Sequence, residues 1–102
     1  MNTLLITIVR FVDDSQPGWV ECTLADAYGG YYVFNEKAPI VSKESLDKNS
    51  RYPRIGMLEC EVIERWKTDK GRALVKVDTG GSNVSDANNG ISVFDVLQRQ
   101  IM

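Results

Sequence analysis

The sequence predicts a mainly β domain: a small antiparallel barrel or sandwich of five to six strands with at most one short helix. Apolar and polar residues alternate through most of the chain, and many of the apolar ones are β-branched or aromatic. Turn-forming clusters of glycine, proline, asparagine and aspartate recur about every ten residues. One stretch, following Ser42, carries a helix-start signal between two groups of strands. At 102 residues the chain reads as a single β-rich domain, residues 1–102. That length suffices for one core burying roughly 65% of the unfolded surface.

The first strand is TLLITIVRFV, residues 3–12. It is apolar on both faces and so is expected to be central in a sheet or part of a closed barrel. DDSQPG ends it, with Pro17-Gly18 pre-setting a turn. The second strand is WVECTLAD, residues 19–26, with Val20, Cys22 and Leu24 in one phase and Glu21 and Thr23 in the other. AYGG turns the chain and YYVFNEK, residues 31–37, forms the third strand. Ser42 with Glu44, Ser45 and Asp47 is placed to cap one short helix. Asn49-Ser50, Pro53 and Gly56 then punctuate a loop. Arg51, Tyr52 and Arg54 there read as a solvated turn rather than a recognition element. MLECEVIERWK and ALVKVDT are strands four and five around the turn TDKG. GGSNVSDANNG, residues 80–90, is expected to be the most flexible stretch. The tail ISVFDVLQRQIM fits a strand or a capped helix, and Ile91, Val93 and Val96 favour the strand.

A tight turn at Asp69-Lys70 would pair Trp66 with Ala73, Glu64 with Val75 and Val62 with Val77. Cys60, Val62, Trp66, Ala73, Val75 and Val77 then share one face, with Glu64 as its one polar member. An unpaired carboxylate there would be costly to bury. The other face carries Arg65, Lys67, Arg72 and Lys76 toward the tip and Glu59, Glu61 and Asp78 toward the base, with Ile63 and Leu74 among them. Most of these charges are expected to be a solvated face.

Apolar content of 43% and charged content of 25% are ordinary for a globular chain, so disorder is not the default, and the net charge of −2 argues against a dedicated nucleic-acid binder. There is no histidine, which removes the commonest general base and metal ligand. Cys22 and Cys60 lie in the apolar phase of strands and are expected to be buried thiols rather than a redox pair. No phosphate-cradling loop or calcium loop is recognisable. Asp13-Asp14 and Glu59, Glu61 and Glu64 have no spacing that selects glycoside hydrolysis. No enzyme activity, metal or cofactor is expected. The N-terminus lacks a basic start, and its apolar run is broken at Arg10, short of the roughly 20 residues a span needs; a cytoplasmic location is expected. Trp19, Tyr28, Tyr31, Tyr32, Phe34 and Trp66 mostly supply core, although Tyr31 and Tyr32 point to opposite faces, so that at least one is open to solvent.

Three meandering strands, a helix, two further strands and a sixth resemble the OB-fold plan, with an SH3-like barrel as the alternative. The segments RFVDDSQPGWVECTLADAYG, EKAPIVS and YPRIGMLECEVIERW, within residues 8–79, look similar to parts of small uncharacterised bacterial proteins. In general character the chain resembles the immunity proteins that bacteria hold against polymorphic toxins. That resemblance implies a non-enzymatic protein-binding module that occludes a basic toxin domain. Candidate partner contacts are Asp13, Asp14, Glu44, Asp47 and Asp86 on loops, with Trp19 or Tyr31 as aromatic anchor. The alternative is an OB-like single-stranded nucleic-acid binder using Tyr31, Phe34, Arg65, Lys67 and Arg72. A third class is an accessory subunit of a bacterial assembly.

Overall fold

The computed structural model describes residues 2–15, 17–82 and 90–102. Six strands form one continuous antiparallel sheet: β1 (Asn2–Asp13), β2 (Trp19–Ala25), β3 (Tyr31–Lys37), β4 (Arg54–Lys67), β5 (Ala73–Asp78) and β6 (Val93–Leu97). Their order across the sheet is β3-β2-β1-β4-β5-β6. One short helix, α1 (Ala38–Val41), lies between β3 and β4, and single 3-10 turns follow β5 and β6. The loop expected over residues 80–90 falls mostly on residues 83–89, outside the described residues.

The sheet curls into a half-barrel because the long β4 serves two neighbours. Its first half, Arg54–Cys60, pairs with β1, and its second half, Glu61–Lys67, pairs with β5. Alternation then sends one side chain in two to the inside of the curl. The row Ile8–Cys22–Phe34 crosses three strands on that inner face, beside Leu4–Leu58 and Val77–Phe94. All seven are buried in one core. Each large aliphatic or aromatic side chain placed there stabilises the fold by about 1.5–3 kcal/mol. The curl carries β6 back against the β2–β3 turn, where the Ala27 N–H donates to the Asp95 carbonyl at 2.8 Å. The tail completes the contact: Ile101 bridges to Leu4, and the Gln100 side-chain amide donates to the Ala25 carbonyl at 2.8 Å.

The β4–β5 hairpin departs from the expected register. Its loop is five residues, Thr68 to Arg72, with the Thr68 N–H donating to the Arg72 carbonyl and the Gly71 N–H to the Thr68 carbonyl, each at 2.9 Å. Gly71 takes φ of +82°, which a side chain would resist. An odd loop reverses the pairing parity, so Trp66 faces Leu74 and Arg65 faces Val75. A bulge between Val62 and Glu64 takes up the difference and restores the expected Val62–Val77 pair. Glu64 is thereby exposed and needs no partner, whereas Leu74, expected on the charged face, is buried.

The helix also sits earlier than expected: it ends at Ser42 rather than starting there. Pro39 lies in its first turn and suits the fixed backbone of a helix start. The Ser42 hydroxyl instead accepts from the Glu44 N–H at 3.1 Å. The tail forms the preferred strand over Val93–Leu97. No helix among the described residues is long and apolar enough to cross a membrane.

Candidate interaction surface

The outer face of β3-β2-β1-β4 is built from cross-strand rows that follow from the register. One row runs Ile55–Thr7–Thr23–Val33 across four strands. The next holds Met57–Leu5 on β4 and β1, and Ala25–Tyr31 on β2 and β3. Toward the β1–β2 turn, Arg10–Glu21–Asn35 is followed by Asp13–Trp19–Lys37. The centre is therefore apolar and hydroxyl-bearing, and the charges lie toward one end. Ile55 and Tyr31 are 73% and 74% exposed, the largest values among the big hydrophobic side chains of this face. Arg10 and Glu21 form an ion pair at 3.2 Å, and the Lys37 ammonium stands 5.9 Å from the centre of the Trp19 ring.

The acidic candidates are divided. Asp13 and Asp14 are exposed at the charged end of this face, beside Trp19. Asp13 accepts the Ser15 N–H and hydroxyl, each at 2.9 Å, and these two bonds hold its carboxyl below its ordinary value. Tyr31 shares the face but stands six residues from Lys37 along β3, about 20 Å away at ~3.3 Å per residue. Glu44 lies on the loop after α1 and is bound to Arg54 at 2.6 Å. Asp47 is taken up locally, accepting the Asn49 N–H at 2.8 Å while its own N–H donates to the Ser50 hydroxyl at 3.0 Å. Asp86 lies outside the described residues.

The residues of the nucleic-acid alternative are also divided. Phe34 is 4% exposed and belongs to the core, because its strand phase matches Tyr32 rather than Tyr31. It offers no open ring for a base to stack on, which corrects its place in that set. Arg65 donates to the Gln98 side chain at 2.6 Å, and Arg72 to the Ala27 carbonyl at 2.8 Å, so both guanidinium groups brace the fold. Lys67 is exposed at the hairpin end. In the Arg51–Arg54 turn, the Tyr52 hydroxyl donates to the Asp47 carbonyl at 2.8 Å and its ring packs on the core.

A polar clasp joins the β2–β3 turn to β6. Asp26 accepts the Tyr28 and Gly30 N–H groups at 2.8 and 2.7 Å and the Tyr32 hydroxyl at 3.1 Å. The Tyr28 hydroxyl donates to Asp95 at 3.0 Å, and Lys76 approaches the other oxygen of that carboxylate at 3.9 Å. The hydrogen bond to Asp95 raises the Tyr28 pKa above its ordinary value of 10.0. The folded state then holds this proton more tightly than the unfolded chain. The stabilisation is complete below pH ~10 and is lost as pH rises through the folded-state value. Tyr28→Phe is therefore expected to melt below the parent at neutral pH, with the gap closing above pH ~10. A gap independent of pH would remove the clasp as its cause.

The two thiols face the core. Burial, with smaller contributions from Glu36 and Glu21, pushes Cys22 up to about 12; burial alone raises Cys60. Both are free and buried, so the nucleophilic thiolate is disfavoured. A thiol reagent at mildly alkaline pH is expected to label neither until denaturant unfolds the chain. A fast-reacting thiol in the native protein would contradict the inner-face assignment. Among the described residues no cluster of three or more Cys, Asp or Glu side chains converges as a metal site.

A groove of about 330 Å³ runs beside β4, lined by Pro39, Ile40, Val41 and Lys43 of the α1 segment and by Met57 and Glu59. Sequence reasoning missed this region and the Ile55 row. The signal was present in β1, whose apolar residues on both faces were read as a central or barrel strand rather than as an open apolar face. The architecture thus defines a mainly antiparallel β half-barrel with an open, partly apolar outer face. Compared with protein-family models, with curated proteins and with solved structures, the chain matches none.

Proposed function

We propose that this chain is a non-enzymatic protein-binding module whose partner docks on the outer face of β3-β2-β1-β4. The observation that carries this is a pair of open side chains on one regular sheet face: Ile55, in the row with Thr7, Thr23 and Val33, and Tyr31, in the next row, are both about three-quarters exposed. Exposed apolar and aromatic side chains rimmed by charge are a usual make-up of a protein interface. In its specific form the module is an immunity protein, and the partner is a basic toxin domain occluded on binding. Asp13 and Asp14 beside Trp19 supply the acidic end of the face, which would speed association with a basic partner. Glu44 contributes less, because Arg54 already pairs with it; Asp47, like Asp13, is bonded within its own turn.

The test is affinity capture from the source organism at moderate and high salt, repeated with Tyr31→Ser/Ile55→Ser and with Asp13→Lys/Asp14→Lys. A stoichiometric partner is expected that survives high salt, is lost with the first pair and associates more slowly with the second. It should be basic and toxic when expressed alone. Equal capture by both variants would remove the face from the interface, and a harmless partner would remove the immunity role.

A further inference from the structure

We propose that the edge of β4 at Ile55 and Met57 accepts an extended segment of the partner as an added strand. This rests on the protein-binding reading above and gives the recognition mode at the border of the same face. Backbone direction follows from alternation in antiparallel pairs. Thr3 exchanges backbone hydrogen bonds with Met102 at 3.4 and 2.9 Å, so its N–H and C=O face away from β4. Leu4, Ile6 and Ile8 therefore face β4 and meet Leu58, Gly56 and Arg54. Ile55 and Met57 must then direct their own N–H and C=O groups to the opposite side. Pairing with β5 begins only at Glu61, and among the described residues no strand pairs with β4 before that point.

Within the strand itself this edge lacks the usual protection. Exposed edges are normally blunted by lysine, proline or a bulge. Here the β1–β4 register runs unshifted from Arg54 to Cys60, the bulge of β4 comes only after Val62, and the side chain standing out at the edge is Ile55. The groove beside it mixes apolar Ile40, Val41 and Met57 with polar Thr3, Lys43 and Glu59, which suits an incoming strand that alternates apolar and polar side chains. The occupant is a lone extended segment rather than a second copy of this chain. The α1 segment walls the groove, and pairing two β4 edges would drive one α1 segment against the other. An added strand would also extend the face that carries Ile55 and Met57.

The test begins with amide hydrogen exchange in the free full-length chain. The Ile55 and Met57 amides should exchange much faster than those of Gly56 and Leu58, which face β1. Equal protection would overturn the proposal before any ligand is added. The probe is then a labelled short peptide of alternating valine and threonine with a lysine at each end. Saturable binding is expected, with new protection at Ile55 and Met57. Affinity should fall at least about tenfold in Met57→Pro, which removes the outward N–H and leaves the β1 pairing intact, and should stay unchanged in Met57→Leu. No binding, or binding indifferent to Met57→Pro, overturns strand addition; should that variant fail to fold, exchange in the parent decides alone. If Tyr31→Ser/Ile55→Ser abolishes partner capture while Met57→Pro does not, the docking face stands and strand addition falls.

Discussion

Gly56→Val is expected to destabilise the protein by roughly 2–3 kcal/mol, toward the upper end of overpacking effects. A β carbon at this position would stand 2.8 Å from two carbons of the Ile8 side chain and 3.0 Å from the Val41 carbonyl oxygen. Ile8 is fully buried and held by its row, and the carbonyl belongs to the α1 backbone, so neither neighbour can yield freely. Strand propensity argues the other way, because valine suits a strand and glycine weakens one. The steric effect exceeds the propensity effect, which spans only ~1 kcal/mol. Urea unfolding of parent and variant gives the sign directly. A gain in stability would mean that α1 does not pack on Gly56.

Leu4→Ala is expected to cost about 2–5 kcal/mol, the range for a buried leucine whose cavity cannot collapse. Leu4 is 0% exposed, pairs with Leu58 and bridges to Ile101, so its loss also loosens the tail that closes the curl. The neighbouring Leu5→Ala, on the outer face, should cost under about 1 kcal/mol, since its site stays open to solvent on one side. Equal effects of the two substitutions would invalidate the division into inner and outer rows. Leu4→Ala combined with Leu58→Ala should deviate from additivity, because the two side chains share one cavity.

Five of the strand assignments were legible from alternation, β-branched content and turn signals together, and the sixth from the β-branched content of the tail. Period-two patterning reports burial directly wherever one face is buried, as in Val20, Cys22 and Leu24. The helix was displaced for a local reason: Ser42 reads equally as a cap before a helix or as the residue that ends one, and Pro39 decides between them. The hairpin faces near the tip were misread because a bulge leaves no mark in composition. Val62, Ile63 and Glu64 could each have been the extra residue, and the five-residue loop determined which one was.

The candidate site was less legible than the fold. Tyr31 and Tyr32 could be placed on opposite faces from spacing, but the Ile55 row could not, since it joins residues from four strands. Nor does sequence separate an acid that is available from one already bonded. Asp13, Glu44 and Asp47 look alike in the chain, yet Glu44 is held by Arg54, ten residues away, while Asp13 and Asp47 are bonded only within their own turns.

By itself, the sequence determined what depends on near neighbours: strand periods, turn positions, two inward thiols and a chain without histidine chemistry. Only the tertiary structure decided the curl of the sheet, the exposure of Ile55, the burial of Phe34 and the edge left along β4. Each of these depends on which strands lie side by side and in what register. That choice balances core burial against loop and bulge geometry over the whole chain, and no local window contains it.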